Sequence, residues 1–134
     1  MAGYSGKSVV QKLGIKPGFC ILVDGAPSAY GKLVGPLPAG EKITTRPKPL
    51  PHMVHVFATQ AAGLAGKLRS CREAVAPDAT IWVSWPTKSS GLATDLTDVV
   101  VRDTALALGL VDIKVCAIDK VWSGLKFVIR KDNR

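Results

Sequence analysis

The chain has 134 residues, 47% hydrophobic and 21% charged, which is the make-up of an ordinary globular domain and too apolar for a disordered tail. A single domain over residues 1–134 is expected, and at that size roughly two-thirds of the unfolded chain's surface is buried without disulfides or metals. The formal charge of +8 comes from Lys and Arg scattered along the chain, which reads as a solvated surface and makes nucleic acid an improbable partner.

The start, Met1 to Lys7, has no apolar stretch of signal-peptide length, and no later run reaches membrane-spanning length, so a cytoplasmic protein is expected. Lys7 to Leu13 reads as a short amphipathic helix closed by Gly14, and Pro17-Gly18 turns the chain. Phe19 to Val23 is continuously apolar, as in a central strand covered on both faces. After Asp24-Gly25-Ala26-Pro27, Ser28 is placed to cap a helix through Val34, and Glu41 to Arg46 alternates like an edge strand. Prolines at every second position from Pro47 to Pro51 demand an extended connector.

His52 to Ala58 reads as a second buried strand. Gln60 to Ala76 carries Leu64, Leu68, Cys71 and Val75 at helical spacing. Thr80 to Trp85 is the next strand, ended by Pro86, and Lys88 to Gly91 is a polar loop. Thr94 or Asp95 is expected to cap a second long helix running to Gly109, with Asp98 in its first turn. Val111 to Ile118 and Leu125 to Arg130 are strands joined by a loop too short for a crossover, hence an antiparallel hairpin. The alternation predicts an α/β fold: an open, mostly parallel, three-layer Rossmann-like sheet closed by that hairpin.

Cys20, Cys71 and Cys116 sit singly among apolar residues and read as small buried hydrophobes, with no metal site. In open α/β sheets ligands lie outside the carboxyl ends of the strands. Those ends bring Asp24, Gly25, Thr59, Trp85, Lys88, Ser89, Ser90 and Asp119 into one candidate crevice. From Trp85 onward an aromatic residue is followed by a cation, several hydroxyls and the helix N-terminus that Asp95 opens, a pattern suited to an anionic small molecule. The alternative is an ordinary loop with Lys88 in solvent. Asp24 suits a ribose or an amine, or equally a cap for the Ser28 helix. His55 falls in a buried strand pattern and reads as a satisfied or an edge histidine rather than a base. Ser123 within Trp122-Ser123-Gly124 has no base set beside it, and that segment reads as a packing turn.

Leu13-Gly14-Ile15-Lys16-Pro17-Gly18, the first strand, its acidic turn and the closing hairpin resemble a shortened class I S-adenosylmethionine-dependent methyltransferase fold. That family has a glycine-rich cofactor loop after its first strand and an acidic residue for the ribose after its second. Here those places read Asp24-Gly25-Ala26-Pro27 and Arg46-Pro47. Over nearly the whole chain a second resemblance, to a bacterial family classified as a domain of unknown function, rests on longer strings. They include Met1 to Gly6, Trp85-Pro86 through Thr97, Gly109 to Asp112, Lys114 to Asp119 and Trp122 to Leu125.

With the G-x-G-x-x-G string, the phosphate loop and every nucleophile-base pair missing, the expectation is a non-enzymatic binding or regulatory domain that takes no cofactor. An enzyme of an anionic metabolite, with Asp24 or Asp119 as acid or base, and a weak nucleic-acid binder are the alternatives. Oligomeric state is left open.

Overall fold

The computed structural model describes residues 13–14, 20–24, 42–44, 52–75, 78–118 and 121–130. In chain order it contains β1 (Cys20–Asp24), β2 (Lys42–Thr44), β3 (Met53–Phe57), α1 (Leu64–Ala74), β4 (Thr80–Pro86), a 3-10 turn (Lys88–Ser90), α2 (Asp98–Leu106), β5 (Leu110–Ala117) and β6 (Trp122–Ile129). The helix expected over Ser28 to Val34 and the Pro47 to Pro51 connector lie outside the described residues. Of the first expected helix, Leu13 is helical and Gly14 turns with φ 76°.

The six strands form one open sheet in the order β2-β1-β3-β4-β6-β5. β2, β1, β3 and β4 are mutually parallel, and β6 runs antiparallel to both β4 and β5. The apolar runs explain the parallel centre. Every residue of β3 is buried, as are Ile21 to Val23 of β1 and Ile81 to Pro86 of β4, so side chains of both parities leave water.

The strand period then sorts those side chains onto two faces. Leu22, Val54, Val56, Ile81, Val83, Leu125 and Phe127 share one cluster with Leu64, Leu68 and Cys71 of α1 and Val101 and Ala105 of α2. Ile21, Val23, Met53, Phe57 and Trp82 form the other, with Leu13 and Ile118 packed among them. Trp82 Nε1 donates to the Leu13 carbonyl at 3.1 Å, which ties the N-terminal turn to that second face.

The hairpin is antiparallel as its short loop requires, but β6 begins at Trp122 rather than Leu125. Trp122, Ser123 and Gly124 are therefore strand residues, not a turn. β6 fills the gap between β4 and β5, which leaves β5 as the edge, with Ile113 55% and Val115 61% exposed. Cys71 is buried, whereas Cys116 on that edge is only half-buried, because its partner across the ladder is Gly124, which has no side chain to cover it.

Both helices start later than the sequence suggests. α1 begins at Leu64, after Gly63 in the left-handed region at φ 83°, and Gln60 to Ala62 stay outside it. α2 begins at Asp98. Its cap is Thr97, whose Oγ1 accepts the Val100 N–H at 3.3 Å, while Thr94 and Asp95 are engaged elsewhere. Among the described residues no helix is long and apolar enough to cross a membrane.

Candidate functional site

The carboxyl ends of the parallel strands converge at one end of the sheet. Asp24 closes β1 in register with Val56, so it stands beside β3 just before Phe57. Asp24's side chain, together with Gly25 and Asp119, lies outside the described residues.

Past Phe57 the chain opens a crevice of about 300 Å³, lined by Phe57, Ala58, Thr59, Gln60, Lys67 and Trp122 among others. β6 delivers Trp122 there by pairing it with Pro86 at the end of β4. The rings of Phe57 and Trp122 meet edge to face with centroids 5.0 Å apart and planes at 88°, a favoured arrangement for aromatic pairs. They make an aromatic wall, and Thr59, Gln60 and Lys67 add polar groups to the lining.

Beneath the wall lies a polar pair. His55 and Ser84 are both fully buried, and His55 Nε2 shares a 2.7 Å hydrogen bond with Ser84 Oγ. Burial pushes the His55 imidazole down to about 3, so it is neutral at physiological pH. Of the satisfied and the edge histidine that the sequence allowed, it is the satisfied one, on a strand paired on both sides.

A second depression of about 520 Å³ lies across the Pro86–Trp122 pair and takes in Trp85, Thr87, Lys88, Thr97, Asp98, Val115 and Ser123. The candidate residues are thus divided between two hollows: Thr59 belongs to the crevice, Trp85 and Lys88 to the depression. Lys88 and Ser89 are exposed, and Ser90 Oγ donates to the Thr87 carbonyl at 2.7 Å within the 3-10 turn.

Asp95 is not the helix cap the sequence suggested, since α2 begins three residues later. Its Oδ1 accepts the Ala61 N–H at 2.7 Å, and Thr94 Oγ1 donates to the Thr59 carbonyl at 2.7 Å. The two bonds fasten the segment before α2 to the loop after β3, which is the loop that lines the crevice. Asp95→Ala is expected to lower the unfolding free energy by about 1 kcal/mol, and Asp95→Asn, which keeps an acceptor oxygen, to recover most of it. Urea denaturation measures this, and equal midpoints for all three proteins would show that the tie contributes nothing.

Phe57, Gln60, Lys67 and Trp122 were not singled out by the sequence. Phe57 was readable as the last apolar residue of a strand, but Trp122 reaches the crevice only because β6 inserts beside β4, which no local pattern encodes. Among the described residues no group of three His, Cys, Asp or Glu side chains is placed to share a metal ion.

No family model matches the chain, and no curated protein does, so the resemblance to the bacterial family of unknown function gains no support there. Solved structures do match. A SAM-dependent methyltransferase from Aquifex aeolicus is similar at TM-score 0.68 and 14% identity, over 90% of this chain and 87% of that one. The ribosomal protein L11 methylase of Lactobacillus delbrueckii subsp. bulgaricus follows at TM-score 0.57 and 9% identity, over 91% and 75% of the two chains. LepI in complex with SAM matches at TM-score 0.53 and 14% identity over 91% of this chain, which spans 39% of LepI's length.

At such identities the likeness shows the fold: an α/β, open, methyltransferase-like sheet. It also corrects two expectations. The non-enzymatic binding or regulatory domain and the absence of a cofactor were inferred from absent strings, the glycine motif first, and from the lack of a nucleophile-base pair. Among the chain's structural neighbours, however, one is a SAM-dependent methyltransferase, another is a ribosomal protein L11 methylase, and LepI is in complex with SAM. These share the sheet at 9% to 14% identity, so a single short string is a poor criterion for what this architecture binds.

Proposed function

We propose that this chain binds S-adenosylmethionine at the carboxyl ends of β1 and β3 and transfers its methyl group to an acceptor. The observation that carries the reading is the aromatic-walled crevice past Phe57, found at the strand ends of a methyltransferase-like sheet. When bound, the cofactor supplies a methyl group on a positively charged sulfur, ready for displacement by a nucleophile.

The residues present fit that group. Aromatic faces attract a desolvated cation, and Phe57 and Trp122 form such a wall. Thr59 and Gln60 bring hydrogen-bonding groups, and Lys67 a cation of the right sign for a carboxylate. Asp24, at the end of β1, is the residue type suited to an amino group or a ribose hydroxyl. The work of these side chains is to bind and orient. The wall, with Phe57 buried and Trp122 half-buried, also keeps water from one side of the reacting sulfur, which strengthens every charge interaction made there.

Isothermal titration with S-adenosylmethionine and S-adenosylhomocysteine tests the reading. Micromolar binding of both is expected, with thermal stabilisation of about 2.7 kcal/mol once ligand reaches a hundred times its dissociation constant. Trp122→Ala is expected to weaken binding about tenfold through loss of the aromatic face. Heats of dilution alone for both compounds, with no thermal shift, would end the proposal.

A further inference from the structure

The buried His55–Ser84 pair is unusual in its setting: two polar side chains on the central strands β3 and β4, whose other buried residues are Val, Ile, Met, Phe, Trp and Pro. Burying such a pair stabilises little, because each group gives up its hydrogen bonds to water for those it makes inside the protein. Its geometry supplies another role. In the β3–β4 ladder His55 stands opposite Trp82, and Ser84 stands opposite Phe57. The 2.7 Å bond between His55 Nε2 and Ser84 Oγ therefore runs diagonally, leaning the imidazole along β3 toward the carboxyl end.

There the imidazole meets Phe57, two residues on and on the same face, with ring centroids 4.2 Å apart and planes 23° from parallel. Phe57 in turn meets Trp122 edge to face at 5.0 Å. Three rings and one hydroxyl thus form a continuous stack from the middle of the sheet to the crevice. Its lower end is fixed by a directional bond, whereas an aliphatic residue at position 55 would leave the Phe57 ring free to choose among rotamers.

We propose that His55 and Ser84 are positioning residues that set the orientation of the Phe57–Trp122 wall for the cofactor's sulfonium. The inference rests on the reading of the crevice as an S-adenosylmethionine site. Neither residue touches the ligand. His55 serves as a neutral ring, consistent with the low value burial gives it.

The test is the double variant His55→Leu/Ser84→Ala in the full chain. Replacing both partners of a buried hydrogen bond by apolar groups is close to neutral for stability, so a purely structural role predicts a folded protein with unchanged binding. The positioning role predicts the same midpoint in urea but S-adenosylhomocysteine bound about tenfold more weakly. It also predicts a displaced fluorine resonance from 5-fluorotryptophan at position 122, assigned through Trp122→Phe, while that of Trp85 stays in place. Because the fluorine signal is read without ligand, the two proposals are judged separately. Failure of the parent chain to bind either compound strikes the proposed function. An unmoved Trp122 resonance, or full-strength binding by the double variant, overturns the positioning role alone. If the double variant fails to fold, Ser84→Ala carries the same two measurements.

Discussion

Acidification from neutral pH is expected to destabilise this fold by about 1.4 kcal/mol per pH unit once the pH drops below 6.5, and the loss traces mainly to His55. In the unfolded chain the imidazole takes up a proton around its ordinary 6.5, whereas in the fold burial delays protonation until about 3. Between those values the unfolded state holds one proton more than the native state, so falling pH favours unfolding. Stability is complete above 6.5 and is lost progressively toward 3, by about 5 kcal/mol over the window. That is comparable to the whole stability of a small domain, roughly 5–15 kcal/mol. Urea titrations from pH 7.5 to 4 measure the slope. Every other ionisable group is common to the parent and to the variant that lacks the imidazole. The His55→Leu/Ser84→Ala protein is therefore the proper reference, and its slope above pH 5 is expected to be nearly flat. Parallel slopes for the two proteins would remove His55 from the account.

What the sequence revealed, and what it hid, follows from the range of the interactions involved. The apolar run Ile21 to Val23 and the β-favouring stretches Met53 to Phe57 and Ile81 to Trp85, apolar except for His55 and Ser84, point to strands covered on both faces, and all three are strands. The short edge strand β2 and the antiparallel hairpin followed equally from local signals. Thr94 and Asp95 misled because their side chains are good caps in isolation, yet here they bond to Thr59 and Ala61, 35 and 34 residues away. The crevice was legible only in part, for the same reason. Thr59 marks a strand end in the sequence, but Trp122 becomes its neighbour through the insertion of β6, a property of the whole sheet. The mistaken inference of a cofactor-free protein came from weighing an absent glycine string above the architecture that would present the ligand.

Gly124→Val is expected to destabilise the protein by about 3 kcal/mol, the upper end of what overpacking costs in a well-filled core. Gly124 lies on β6 between Ser84 of β4 and Cys116 of β5, in a strand where Val is otherwise the better residue. Space is what forbids it. A Cβ built there falls 2.9 Å from Ile118 Cδ1, 3.1 Å from Ile118 Cγ1 and 3.2 Å from Trp82 Cε3. Neither neighbour has anywhere to go: Ile118 is 1% and Trp82 0% exposed, and Trp82 is further held by its bond to the Leu13 carbonyl. Gly124→Ala brings only the Cβ itself and is expected to cost about 1 kcal/mol. The steric account has a stricter consequence. Ile118→Ala removes the two closest atoms and alone costs about 2–5 kcal/mol as a cavity, but that cavity is where the methyls introduced by Gly124→Val would go. Combined with Gly124→Val, it is expected to give a protein more stable than the sum of the two effects allows, by about 1 kcal/mol or more. Urea denaturation of the four proteins of the cycle measures the coupling. If the two substitutions add to within about 0.5 kcal/mol, they do not compete for the same space, and the glycine must be explained some other way.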